Sequence, residues 1–428
     1  MVSKGSSSPR HKKNEKSNSE QLMTGEFDYL YPHLDDPDFN IKIAERKEFN
    51  DHQYEGSIYD IEGHANVLCN ADFELAPHQL LVKNFMSLQT PYNSLLLYHG
   101  LGSGKTCSAI GVAEEMRSYL KQVGLTQRIL VVASPNVQDN FRLQLFDERK
   151  LKIINGEWNI QSCTGNLFLK EINPVNTRGL SRDKIIRQVK KIISQSYLFL
   201  GYTEFANYIA RVSSVKGNYS SEKKNRLMIS NLKKHFEGRL IIIDEVHNIR
   251  VTDDNKNKRV AMELFKMIES VEYVRLLLLS ATPMYNSYKE IIWLLNLMNI
   301  NDNRSTLETQ EVFDNTGMFR LSDEGEEIGR EILQRKATGY ISYVRGENPY
   351  TFPYRIWPNE FSVENTFSSQ RYPLVQLNGH PIIKPLEVIS VYLTKIGEYQ
   401  QLGYDYIIER LKEDMDEKIA FENALPPT

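Results

Sequence analysis

Cysteine is scarce: Cys69, Cys107 and Cys163 are the only three in 428 residues, and none forms a Cys-x-x-Cys pair. That spacing argues against a disulfide framework or a zinc site and fits a reducing compartment. Long apolar runs are missing as well. None approaches the roughly 18 residues of a membrane span, and the N-terminus has no hydrophobic signal core, so no membrane partner is expected. Neither charge sign dominates, with 52 Lys and Arg against 55 Asp and Glu and a net charge of -3. A uniformly basic nucleic-acid-binding coat is thereby excluded, and any such surface must be a local patch. Internal repeats are absent. What remains, 41% hydrophobic and 25% charged, is ordinary for a water-soluble globular chain long enough for two or three domains.

Residues 1–24 hold Ser, Lys, Asn and Glu with almost nothing apolar, so they cannot bury enough surface to offset ordering and read as a disordered basic tail. In residues 25–70, Tyr29, Tyr31, Phe39, Phe49 and Tyr54 alternate with acids and prolines, as expected of an arm packed on the first domain. Short apolar runs then recur at Leu95–Tyr98, Ile129–Ala133, Tyr197–Leu200, Leu240–Ile243 and Leu276–Leu279. Helical spacing fills Ile185–Ile193, Leu227–Phe236 and Val260–Ile268. Strands apolar on both faces, alternating with helices, predict an α/β fold with a parallel sheet covered on both sides, here over 71–300. The polar stretches Leu151–Lys184 and Arg211–Lys224 read as insertions or long loops. Beyond 300 the alternation fades, and 301–428 reads as a linker, an aromatic and proline-rich segment, and a helical pattern over Val388–Ile419.

Three stretches carry chemistry. In SLLLYHGLGSGKT (94–106), an apolar strand enters a glycine-rich turn that opens a helix. Gly100, Gly102 and Gly104 permit dihedrals that let backbone N–H groups, those of Leu101 and Ser103 included, turn onto a phosphate. The helix start adds its own free N–H groups. Lys105 is placed to reach the β/γ-phosphates of ATP and Thr106 to ligate Mg²⁺. His99 stands where the strict motif has glycine. In LIIIDEVH (240–247), a strand delivers Asp244 to the metal and Glu245 to the attacking water; an acidic helix cap is the alternative. In LLLLSATP (276–283), Ser280 and Thr282 lie at the end of a buried strand, an arrangement that an ordinary strand exit also produces.

Taken together, GLGSGKT, DEVH and SATP are similar to motifs I, II and III of superfamily 2 helicases and nucleic-acid translocases. The resemblance implies a RecA-like lobe that hydrolyses ATP with Mg²⁺, and a coupling role for His247, Ser280 and Thr282. FELAPHQ (73–79) resembles the glutamine motif, implying that Gln79 reads the adenine edge. Ser134, Pro135 and Asn136 resemble motif Ia, and Thr203 lies in a motif Ib-like GYTE; both motifs would contact a nucleic-acid backbone. YPHLDDPDFNIKIAERKEF, SATPMYNSYKEIIWLLNLMN and YISYVRGENPYTFPYRIWP extend the resemblance to the ATPases of large cytoplasmic DNA viruses, a group that includes the poxvirus early transcription factor small subunit and nucleoside triphosphate phosphohydrolase I. It implies DNA or RNA, viral RNA polymerase and transcription factors as partners, and a location in the virion and host cytoplasm.

A complete motor of this superfamily has a second RecA-like lobe with an arginine finger. No Q-x-x-G-R-x-x-R stretch is found, and Arg345 precedes the place where such a lobe should begin. The chain is therefore expected to be the N-terminal portion of a longer ATPase, or a half-motor completed by a second chain. The expected function is ATP-driven movement on, or remodelling of, DNA or RNA in viral transcription. The alternative is a transcription initiation or termination factor that uses ATP binding as a switch without unwinding. Lys184, Arg187, Lys190 and Lys191, with Lys223, Lys224, Lys233 and Lys234, are candidate backbone contacts whose helical spacing equally suits solvated faces.

Overall fold

The computed structural model describes residues 31–52, 63, 75–154, 156–174, 179–249, 255–284, 287–344, 357–366, 374–375, 380–383 and 394–424. The basic tail, Cys69 and Arg345 lie outside them. Contacts divide the chain into two units, Met1–Phe352 and Pro353–Thr428. The first holds the sheet. The second contains a long helix, Glu398–Ala424.

Six strands form the sheet: β1 (Ser94–His99), β2 (Ile129–Val132), β5 (Tyr197–Leu200), β6 (Leu240–Ile243), β7 (Arg275–Ser280) and β8 (Ile341–Val344). Their order is β5-β2-β6-β7-β1-β8, and each neighbouring pair is parallel. Alternation across the pleat explains why the strands read as unbroken apolar runs. Leu95, Leu97, Val131, Ile242, Leu277 and Leu279 point into one core. Leu96, Leu130, Val132, Ile241, Ile243, Leu276 and Leu278 point into the other. The first core is covered by α1 (Pro77–Phe85), α2 (Lys105–Gln122), α3 (Pro135–Leu145) and α4 (Arg182–Ser196). The second lies under α5 (Tyr202–Ser213), α6 (Ser221–Phe236), α7 (Asn255–Ser270) and α8 (Lys289–Asn301).

Phe39 and Phe49 are buried in the first core. The Phe39 ring meets Tyr92 edge-on at 5.4 Å, and Phe85 stacks on Tyr92 at 4.5 Å. The 151–184 insertion contains an antiparallel hairpin, β3 (Leu151–Ile154) and β4 (Glu157–Ile160).

Two expectations change. The sheet does not end near 300, because β8, from the stretch read as linker, pairs with β1 through Leu96↔Ile341 to His99↔Val344. An edge strand of four residues with a serine inside carries too weak an apolar pattern to stand out, yet Tyr340 just before it is fully buried. The cysteines also differ from expectation: Cys107 and Cys163 are joined in a disulfide with Cα atoms 5.2 Å apart. They are 56 residues apart in sequence. Only the packing of the turn after β4 near the first turn of α2 brings them together.

Candidate nucleotide site

The phosphate loop folds as its glycines require. Gly102 and Gly104 have φ of 75° and 78°. At Gly104 the left-handed backbone is reinforced by crowding, because a Cβ there would collide with the Gln79 amide nitrogen. Ser103 Oγ donates to the Gly100 carbonyl at 2.7 Å, closing the turn, while Leu101 projects outward, 70% exposed. Lys105 begins α2 and curls back over the loop, donating from Nζ to the carbonyls of His99 (2.9 Å) and Gly100 (3.2 Å). Thr106 follows on the first turn of the helix, half-buried.

Gln79 sits in α1 beside this loop. Its Oε1 accepts from the Ala76 N–H at 2.9 Å, and its Nε2 donates to the Gly104 carbonyl at 3.2 Å. Neighbouring His78 bonds through Nε2 to the Ser103 carbonyl at 2.8 Å. His99 is wholly buried where a glycine would be in the strict motif, and bonds through Nε2 to Ser342 Oγ of β8 at 2.9 Å. The edge strand is pinned to the loop a second time by the Gly100 N–H, which donates to the Val344 carbonyl at 3.0 Å. Burial, with the charge of nearby His78 and Lys105, holds His99 neutral, its pKa lowered to about 3.

Across the sheet, parallel pairing of β6 with β7 and of β7 with β1 aligns their carboxyl ends. Asp244 and Glu245 leave β6 there. Glu245 has φ of 49°, a left-handed conformation uncommon for a side-chain-bearing residue. Its N–H donates to Asp244 Oδ1 at 2.9 Å. Asp244 is buried, and its pKa is raised to about 6 by that burial first and by the Glu245 charge second, against the opposing charge of Lys105. Lys105 is itself pulled down by burial, with Glu245 and Asp244 acting against that. One cation thus faces two adjacent carboxylates, and Asp244 with Thr106 could hold a divalent cation such as Mg²⁺. His247 Nδ1 lies 3.0 Å from Ser280 Oγ and 3.3 Å from Glu245 Oε2, joining β6 to β7. The Thr282 N–H donates to Ser280 Oγ at 3.0 Å.

Ser134, Pro135 and Asn136 open α3, and Thr203 lies in the first turn of α5, all at the same carboxyl end of the sheet. Pro135, Asn136 and Thr203 are exposed. The basic clusters do not converge. Those on α4 and α6 lie on helices that cover opposite faces, Lys190 pairs with Glu148 at 2.6 Å, and Lys233 pairs with Glu272 at 2.9 Å. Two residues of the site region lie inside the quoted motifs but were given no role of their own from sequence. Tyr202 donates from its hydroxyl to the Asp244 carbonyl at 2.8 Å, and His78 lies against the loop.

A profile of the SNF2-related domain matches residues 78–335. The chain belongs to the SNF2-related family. The SNF2-related lobe described above accordingly has the RecA-like parallel sheet of superfamily 2, and family membership implies ATP binding. A mimivirus protein named for an ATP-dependent RNA helicase is 26% identical over 352 residues, covering 77% of this chain and 28% of the relative. A second mimivirus protein so named is 27% identical over 337 residues, covering 76% and 49%. The African swine fever virus early transcription factor large subunit homolog is 25% identical over 399 residues, covering 76% and 35%. This SNF2-related chain therefore spans about a quarter to a half of the length of these relatives. Among solved structures, the Sulfolobus solfataricus SWI2/SNF2 ATPase core in complex with dsDNA is 16% identical, with a TM-score of 0.36, covering 65% of this chain and 46% of that one. The viral resemblance holds at the level of large DNA viruses, with a relative named as the large subunit of an early transcription factor where a small subunit was expected. No described helix is long and apolar enough to cross a membrane.

The raised pKa of Asp244 has a measurable consequence. The folded-state value lies above the ordinary 3.8, so the ligand-free protein loses stability from this group as pH rises from about 4 through about 6. The loss is roughly 2–3 kcal/mol, at about 1.4 kcal/mol per pH unit. An Asp244→Asn variant should therefore melt several degrees higher than the native chain at pH 8 without nucleotide, with the gain falling to about a third at pH 4.5 and vanishing below about pH 3.5. Equal melting temperatures at pH 8 would show that Asp244 is not held in this way.

Proposed function

We propose that this chain is the nucleotide-binding lobe of an ATP-driven nucleic-acid motor, one that binds ATP with Mg²⁺ and contributes the hydrolytic half-site. The reading is carried by the convergence of Lys105, Asp244 and Glu245 at the carboxyl ends of β1 and β6, where each lies within the others' electrostatic reach. When bound, the metal would neutralise charge on the β- and γ-phosphates. Thr106 and Asp244 would hold it, Lys105 would clamp the phosphates, and Glu245 would orient the attacking water and take its proton, while the Gln79 amide beside Gly104 would read the adenine edge. His247 and Ser280, with Thr282 behind them, relay changes at Glu245 to the neighbouring strand.

Nucleic acid, DNA or RNA, runs past Ser134–Asn136 and Thr203. These loops offer backbone groups and short polar side chains, which suit sequence-independent contact with phosphates. The described residues of the first unit form one six-stranded parallel sheet and one antiparallel hairpin, and the arginine that stabilises the transition state would come from outside this lobe. Such an arginine is worth roughly 10³–10⁵ in rate. The lobe alone should bind Mg·ATP yet turn it over very slowly and unwind nothing. Robust hydrolysis stimulated by nucleic acid in the purified chain, read by phosphate release, would refute the half-site reading.

A second reading follows from the African swine fever virus relative named as an early transcription factor subunit. ATP binding would then act as a switch within a viral transcription complex, with RNA polymerase and transcription factors as partners in the virion and host cytoplasm. Strand displacement by the longer protein in the presence of polymerase favours the motor; promoter-dependent initiation or termination without displacement favours the switch.

A further inference from the structure

One hydroxyl in the lobe joins three strand ends. Tyr202 is the first residue of α5, directly after β5. Its hydroxyl donates to the Asp244 carbonyl at 2.8 Å and accepts from Asn248 Nδ2 at 3.4 Å. It also meets the backbone of Ser134 at the end of β2. The surrounding main chain is already laced: the Ala133 N–H donates to the Leu200 carbonyl at 3.1 Å and the Asp244 N–H to the Val132 carbonyl at 3.0 Å. Burial raises the Tyr202 pKa to about 12, which keeps the hydroxyl a donor at all physiological pH.

The bond that matters is the one to Asp244. Its carbonyl belongs to the peptide that leads into Glu245, whose φ of 49° is held against the ordinary preference for negative values. That peptide is anchored at both ends, its carbonyl by Tyr202 and its N–H by Asp244 Oδ1 at 2.9 Å. Removing the first anchor frees the peptide plane to rotate, φ of Glu245 to relax, and the Glu245 carboxylate to turn away from His247. The same hydroxyl touches Ser134 and sits one residue before Thr203, the two loops offered to nucleic acid. A shift of either loop acts directly on the strained peptide.

We infer that Tyr202 is a positioning residue whose hydroxyl couples nucleic-acid occupancy at the Ser134 and Thr203 loops to the orientation of Glu245. The inference deepens the motor reading and rests on it. Such coupling is a free energy between two binding sites, and it is reciprocal. It is therefore measurable at equilibrium without turnover.

The test uses the full chain, a fluorescent non-hydrolysable ATP analogue with Mg²⁺, and a labelled oligonucleotide in single- and double-stranded form. In the native chain, saturating oligonucleotide should shift the nucleotide Kd by about 5-fold or more, the low end of typical coupling. In Tyr202→Phe, which keeps the ring and deletes only the hydroxyl, each ligand alone should bind within about twofold of native, at an unchanged Tm, while the shift falls to about one. A merely structural role would lower Tm or both single affinities and leave the ratio intact. An undiminished shift in Tyr202→Phe overturns the inference, as does a native chain that binds both ligands independently. A native chain that fails to bind one ligand at all overturns the motor reading itself, and the coupling with it.

Discussion

A Lys105→Ala chain should lose nucleotide affinity by about 100-fold or more while remaining folded. Lys105 is the positive side chain whose charge acts on both Asp244 and Glu245 across the phosphate loop. Removing it leaves a triphosphate facing two carboxylates with no side-chain counter-charge. At 4 Å and an effective dielectric near 20, one such charge pair is worth about 4 kcal/mol, and solvent entering the open loop returns part of that. Two to three powers of ten in Kd remain. The fold should survive, because among the described residues the Lys105 ammonium bonds to the His99 and Gly100 carbonyls, which water can satisfy once it is gone. Lys105→Arg should also bind poorly: a planar fork cannot occupy a place shaped for a point charge. Titration of a fluorescent ATP analogue with Mg²⁺ checks both variants, and unchanged affinity in Lys105→Ala would remove the phosphate-loop assignment.

The second large effect concerns stability. Arg275, the first residue of β7, is buried and donates to the carbonyls of Met86, Ser87 and Tyr92 from one nitrogen, and to Thr90 from the other, at 2.9–3.2 Å. Burial lowers its pKa to about 10, with Asp302 and Glu115 opposing. The guanidinium serves as the hydrogen-bond centre of the turn between α1, which carries Gln79, and β1, which leads into the phosphate loop. Arg275→Met fills much of the volume but leaves four buried carbonyls without this donor. The expected cost is roughly 3–5 kcal/mol, or a fall of about 10 °C in Tm for a lobe of this size. Arg275→Lys keeps the charge but not the fork, and should fall between the two. Thermal denaturation followed by circular dichroism reads both, and a loss under about 2 °C in Arg275→Met would show the turn to be held by other means. A destabilised turn should also loosen the Gln79 contact with Gly104, so nucleotide affinity should fall alongside Tm.

Five strands of the parallel sheet, the helical spacing of α2, α4, α6 and α7, the glycine-rich turn and the acidic strand end were legible from residues 94–280 alone, whereas α3 and α5 were not. Each depends on chemistry local to a few positions: unbroken apolar runs, glycines where φ must be positive, carboxylates directly after a strand. Other features depend on who becomes a neighbour. β8 is short and interrupted by a polar residue, and only its pairing with β1 and the His99–Ser342 bond make it part of the sheet. Cys107 and Cys163 gave no sign of meeting. Tyr202 was visible within GYTE, yet nothing in that stretch says that its hydroxyl ends at a carbonyl 42 residues later.

The sequence by itself determined the class of fold and marked the residues proposed for the half-site, because strand hydrophobicity, loop glycines and the motifs that carry Lys105, Asp244 and Glu245 are each written in a few contiguous residues. The tertiary structure alone decided how those groups are held: the Lys105 charge set against two carboxylates, the strained Glu245 peptide clamped by Tyr202, and Arg275 caged by the 86–92 turn that leads into β1. The reason is physical. Hydrogen bonds and charge pairs between residues tens to hundreds of positions apart exist only once the sheet has aligned their strand ends, and no local pattern announces them.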